Sequence, residues 1–137
     1  MKRILVALLA AGLLCSCQSL ELERNAQSLD EATRGYNAHI RWQEMDKACT
    51  EFVDPPLLEE CNRRAEAARS VKVTDYRVRS LVYDKEHGTA RAVVEFDYYV
   101  PPSVTLKTLV DRQKWALTGK GDAPKEWRLK TLPPEFR

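Results

Sequence analysis

The chain has 137 residues, of which 44% are hydrophobic and 31% charged, and a formal net charge of +2. That length supports one compact domain with one core and is too short for two. The 22 basic and 20 acidic residues are interspersed, a balance that gives no reason to expect nucleic-acid binding or electrostatic adhesion to anionic lipid.

The first residues read as an export signal. Met1, Lys2 and Arg3 give a basic start, and Ile4 to Leu14 form an apolar core of the length such signals use. A permanent membrane anchor needs roughly 20 apolar residues, which this core does not reach. The next four residues, Leu14-Cys15-Ser16-Cys17, resemble the lipobox of bacterial lipoproteins. There a leucine, a variable residue and a small residue precede the cysteine that is lipidated and becomes N-terminal. The resemblance makes Cys17 the lipidated residue, because choosing Cys15 would put Leu14 where a small side chain belongs. The alternative is an ordinary secretory peptide cut near Ser16, leaving a free thiol at Cys17. Removing residues 1–16 takes away Lys2 and Arg3 and no acidic residue, so the charge falls from +2 to zero. In bacteria with two membranes, aspartate after the lipidated cysteine favours inner-membrane retention. Gln18 stands there instead, and the resemblance implies an outer-membrane anchor with the domain facing the periplasm. Residues 17–25 are expected to form the lipidated N-terminus and tether, and residues 26–137 a single α+β domain.

Leu22, Ala26, Leu29, Thr33, Tyr36 and Ile40 recur in steps of three and four, which predicts a long helix with one buried stripe. Met45, Cys49 and Phe52 share a helical spacing, as do Leu58, Cys61, Ala65 and Ala68. Asp54-Pro55-Pro56 between them reads as a break and restart, with Asp54 as the cap and Pro55 at the first helical position. Both thiols then face one core across a tight connection, and an oxidising compartment permits a Cys49–Cys61 disulfide. Two buried free thiols are the alternative. No histidine or second cysteine pair lies at metal-ligand spacing, and no cofactor is expected.

From Val71 the apolar period changes from helical to alternating. Ala90, Ala92, Val94, Phe96, Tyr98 and Val100 alternate with a mostly polar set, which predicts a strand with one buried face. Its partner is residues 71–83, joined through Asp84 to Gly88. Val71 and Val73 have one parity in that partner, and Tyr76, Val78 and Val82 the other, so a bulge or strong bend is expected. A third strand fits Val104 to Leu117 and a fourth Glu126 to Leu132. Trp115 shares parity with Leu109 and Leu117, and Trp127 with Leu129, so both tryptophans are expected inside. Helices followed by an antiparallel meander make an α+β plan in which a curved sheet of about four strands wraps the helices.

The run YNAHIRWQEMDKACTEFVDP, a third short helix, long bent strands and the closing EWRL resemble the nuclear transport factor 2-like superfamily. The resemblance covers roughly residues 26 to 132 and rests on element order and a few aromatics. It implies a cone of helices against a strongly curved sheet, with a cavity but no particular reaction, since the fold hosts isomerases, dehydratases, adaptors and binding domains. Enzymes of that superfamily commonly place an aspartate, histidine or tyrosine deep in the cone. Tyr36, His39 and Tyr98 are the residues of those types near the expected cone, but no family catalytic residue transfers to a matching position. Glu95 and Asp97 read as solvated cross-strand charges, and His87 as a turn residue. Small side chains at Ala90 and Ala92 leave space beside Phe96 and Tyr98, so Tyr36, Ala92, Phe96 and Tyr98 form the candidate pocket. The expected role is non-catalytic: a lipid-anchored envelope domain that binds an unidentified protein or a small apolar ligand. The alternatives are a small isomerase- or dehydratase-type enzyme and an envelope assembly subunit.

Overall fold

The computed structural model describes residues 2–137, with side chains from Cys17 onward. Met1 and the side chains of residues 2–16, which carry the basic start and apolar core of the expected signal peptide and Cys15, lie outside the described residues. Helix α1 spans Lys2–Arg41 and includes residues 17–25, the expected tether. Residues 18–28 contain no glycine or proline, so nothing in the local sequence stops the helix. Two contacts fix its exposed part to the domain. Glu21 pairs with Lys125, and Trp127 Nε1 donates to the Asn25 carbonyl at 3.0 Å. The predicted stripe is buried at Leu29, Thr33, Tyr36 and Ile40, while Leu22 and Ala26 are exposed. Asn37 is buried as well. Among the described residues, no helix is long and apolar enough to cross a membrane.

After α1, Gln43 takes a left-handed φ of 64°, and the chain reverses into α2, Met45–Phe52. Gly35 lets the two helices approach: a Cβ built there would lie 2.8 Å from Phe52 Cζ. Pro55–Leu57 forms a 3-10 turn and leads into α3, Leu58–Ala67. Asp54 occupies the cap position, but its side chain makes no capping bond. The expected cap is replaced by an ion pair to Lys130 at 2.8 Å. Cys49 and Cys61 form a disulfide, with Cα atoms 5.7 Å apart, that staples α2 to α3.

The four strands are β1 (Lys72–Asp84), β2 (Thr89–Tyr99), β3 (Lys107–Thr118) and β4 (Glu126–Leu129). They make one antiparallel sheet in the order β1-β2-β3-β4. The β2–β3 connection extends further than the sequence suggests, so that β3 starts at Lys107 rather than Val104. Register shifts between Val73 and Asp75, and again between Val78 and Ser80, interrupt the β1–β2 ladder. The first turns Tyr76 to the face of Phe96, and the second turns Leu81 to that of Ala92 and leaves Val82 opposite Arg91. The phase change therefore occurs twice, and Val82 is exposed.

Curvature follows from these bulges and is measurable across the sheet. The rings of Tyr83 in β1 and Trp127 in β4 meet edge to face at 5.3 Å between centroids. Three strand spacings in a flat sheet would separate their backbones by about 14 Å. At that end Tyr83, Ala90, Trp115 and Leu129 stand in register across all four strands, and β4 does not reach the opposite, wide end, where Val73, Tyr98 and Lys107 are paired. Helices α1 and α2 lie against its concave face: Arg41 Nη1 donates to the Val73 carbonyl at 2.8 Å, and Val53 bridges Leu129 in parallel.

Candidate functional site

Strand β3 brings polar groups into the interior. Its inward parity runs Leu109, Asp111, Gln113, Trp115, Leu117, and Asp111 and Gln113 are both buried. Gln113 uses its whole amide, as a buried amide must. Its Nε2 donates to Asn37 Oδ1 at 2.7 Å and to Asp111 Oδ2 at 2.9 Å, and its Oε1 accepts from Trp115 Nε1 at 3.3 Å. Asn37 in turn donates to the Thr33 carbonyl at 2.8 Å, so the chain of bonds crosses from the sheet to α1. Burial raises the Asp111 carboxyl to about 6, although the Gln113 bond and the charge of Arg64 pull the other way.

Tyr36 stands in the same interior, fully buried, with its ring edge to face against Phe52 and Trp115. Among the described residues, its hydroxyl is the buried side-chain oxygen without a hydrogen-bond partner. Burial, and after it the charge of Asp111, raises its pKa well above the usual tyrosine value. The hydroxyl is neutral at ordinary pH.

The wide end of the sheet is covered by the segment 132–137, Leu-Pro-Pro-Glu-Phe-Arg. Pro133 is buried, and Phe136 packs edge to face on Phe96 at 5.9 Å and on Tyr98 at 5.0 Å. Three side chains grasp its carbonyls. Arg64 Nη1 donates to Pro133 O at 2.7 Å, Tyr98 Oη to Arg137 O at 2.7 Å, and Lys107 Nζ to Arg137 O at 2.9 Å. Arg64 also meets Glu135 at 3.3 Å. Two hollows border Phe136. One of about 350 Å³ lies between α2, α3 and β1, lined by Ile40, Met45, Ala65, Ala68, Val71 and Val73. The other, of about 420 Å³, lies beside Arg63, Arg64, Pro134 and Glu135.

The four candidate pocket residues are all interior, and Tyr36, Ala92, Phe96 and Tyr98 line neither hollow. Ala92 pairs with Gln113, whose side chain reaches α1, so the small residue sits where that helix passes over the sheet. The space beside Phe96 and Tyr98 holds the Phe136 ring. His39 is outside the cone, 2.9 Å from Glu44 and 3.1 Å from Glu51. Glu95 and Asp97 lie on the convex face with Arg77 and Arg79, and Arg77 holds the Asp97 carboxyl well below the ordinary range. Their ion-pair partners come from β1, and Thr108 of β3 adds a hydrogen bond to Asp97 Oδ1 at 2.6 Å. His87 closes its turn on Asp84 at 2.8 Å. Trp115 and Trp127 are buried, while Trp42 is exposed with the Arg41 guanidinium 4.6 Å from its ring centre. Among the described residues, no group of three or more His, Cys, Asp or Glu side chains is arranged to hold a metal ion.

Asp111, Gln113 and the segment 132–137 are the parts of the site that sequence reasoning passed over. The signal for the first two was present in the β3 alternation, where two polar residues share the parity of Leu109, Trp115 and Leu117. The site thus belongs to a disulfide-stapled α+β domain with a curved four-stranded antiparallel sheet. No family model matches the chain, and no curated protein matches it.

Proposed function

We propose that the protein is a lipid-anchored domain of the bacterial cell envelope, held at the outer membrane through Cys17, with a non-catalytic binding role on the periplasmic side. The observation that carries the reading is Cys17. It ends the lipobox-like run, is exposed and unbridged, and stands twelve residues before Leu29, the first buried residue among those described. Glu21 and Asn25 of the intervening helix already touch the domain, so the four residues from Cys17 to Glu21, about 6 Å of helix, are what spaces it from the lipid surface. Several acyl chains on one residue hold a protein stably where a single chain does not. The disulfide supports the same location, since such bonds persist in oxidising compartments. The order of helices and bent strands supports a nuclear transport factor 2-like relationship, with the wide end of the sheet as the place for a ligand.

Labelling with a radioactive or clickable fatty acid tests the anchor. Cys17→Ser is expected to lose the label and accumulate as unprocessed precursor, and Cys15→Ser to keep both label and processing. Label retained by the Cys17 variant refutes the assignment. Fractionation of the labelled parent between the two membranes tests the sorting.

A second reading, that of a small enzyme, is favoured by Asp111 and Tyr36, an interior acid and an unpartnered hydroxyl. Neither hollow is lined by either group, so this reading requires the covering segment to move. Turnover of a small carbonyl substrate that Asp111→Asn abolishes would favour it over the binding role.

A further inference from the structure

We propose that the wide end of the sheet is a peptide-binding groove, occupied in this structure by the chain's own segment 132–137, and that its external ligand is an extended peptide with an acidic residue followed by an aromatic one. The proposal rests on the binding-domain reading and names its ligand class.

Three observations lead to it. Among the described residues, the segment makes no backbone-to-backbone hydrogen bond. Side chains of the domain hold its carbonyls instead: Arg64 at Pro133, and Tyr98 with Lys107 at Arg137. This differs from β4, whose residues pair with β3 in register. A stretch without ladder bonds can leave without breaking the sheet; what holds it is the burial of Pro133, the packing of Phe136 and the side-chain bonds, contacts that a competing peptide can replace. The second observation is the contact chemistry. One aromatic ring enters between Phe96, Tyr98 and the first hollow, one carboxylate meets a half-buried arginine, and two prolines keep the backbone extended. Proline-rich extended ligands with pocketed side chains are a recurrent mode of peptide recognition, and their stiffness lowers the entropy lost on binding. The third is the unfilled space. Hollows of about 350 and 420 Å³ flank Phe136 on either side, so the segment leaves room that a bulkier aromatic residue or a longer peptide would occupy.

An intramolecular segment competes at an effective concentration in the millimolar range, so the parent chain should bind such a peptide weakly until the segment is weakened. The experiment uses fluorescein-labelled Leu-Pro-Pro-Glu-Phe-Arg and fluorescence anisotropy. The proteins are the full chain, a chain with residues 132–137 replaced by Gly/Ser, and the milder Phe136→Ala variant. Expected are saturable binding to both variants at least tenfold tighter than to the parent, loss of binding when the peptide phenylalanine is alanine, and weakening when Arg64→Ala is added. Equal binding by parent and Phe136→Ala, or equal binding of the alanine peptide, would overturn the proposal. If the Gly/Ser chain does not fold, Phe136→Ala decides alone. A parent that dimerises by exchanging the segment, in a form the peptide does not dissociate, would also overturn it, with a second copy as the occupant. None of these results depends on lipid at Cys17, so failure here leaves the anchor assignment standing, and failure of the labelling test leaves the groove.

Discussion

Asp111→Asn separates the energetic cost of a buried charge from the packing around it. The carboxyl is pushed up from an ordinary aspartate value of 3.8 to about 6, burial being the largest cause. Native protein therefore holds the proton more tightly than the unfolded chain. Protonation linked to folding then stabilises at low pH, fully below about pH 4, and that contribution disappears as pH rises through about 6. At 1.36 kcal/mol per pH unit, the shift amounts to about 3 kcal/mol. Asparagine keeps an oxygen to accept from Gln113 and never ionises, so its interior bond survives. Urea unfolding of parent and variant at half-unit steps from pH 4 to 7.5 is the assay, and the difference between the two curves cancels titrations they share. The parent should lose about 2.5 kcal/mol relative to the variant across that window, with most of the loss between pH 4 and 6 and a plateau by pH 7. Parallel curves would refute the placement of Asp111 in a water-poor interior.

Reducing the Cys49–Cys61 bridge, which closes a loop with a sequence separation of 12, should cost about 3 kcal/mol in the chain-entropy account and lower the thermal midpoint; an unchanged midpoint in reductant would contradict it. Ala92→Leu should destabilise by about 1 to 3 kcal/mol through overpacking beneath α1, measured by chemical denaturation. Tyr36→Phe removes the unpartnered hydroxyl and should hold stability level or raise it by about 1 kcal/mol, the opposite of what loss of a bonded tyrosine would give. Trp127→Phe deletes the bond to the Asn25 carbonyl and should cost about 1 kcal/mol, with hydrogen exchange rising along residues 21–28.

The helical stripe of Leu29, Thr33, Tyr36 and Ile40, the Cys49–Cys61 pairing, the strand of residues 89–99 and the inward tryptophans were legible because each depends on a period of 3.6 or 2 that packing enforces. The second bulge of β1 was not legible, because a flip of parity at Val78 looks the same in sequence as an exposed valine. Asp111 and Gln113 were hidden for a different reason. Alternation is read through apolar residues, and a buried carboxylate is tolerated because Gln113, two residues along the same strand, donates to it while a second bond ties that amide to Asn37 of α1. That complementarity is between residues 76 positions apart. The role of segment 132–137 lay equally beyond local patterns: its proline pair marks an extended chain, and only the curvature of the sheet decides what that chain covers.

The manner in which the sheet ends has a bearing on crowding. An open four-stranded sheet offers two rows of unpaired backbone groups to any neighbour, and such rows invite strand-to-strand aggregation. One row, on the short β4, is met within the chain by Val53 and by the Asp54 amide, which donates to the Leu129 carbonyl at 3.0 Å. The other, on the longer β1, is broken twice by register shifts and carries Arg77 between them and Arg79 within the second. A neighbouring strand would have to match an irregular ladder and bury cations to pair there. Many copies of this domain can therefore stand side by side at high local density without adding to one another's sheets.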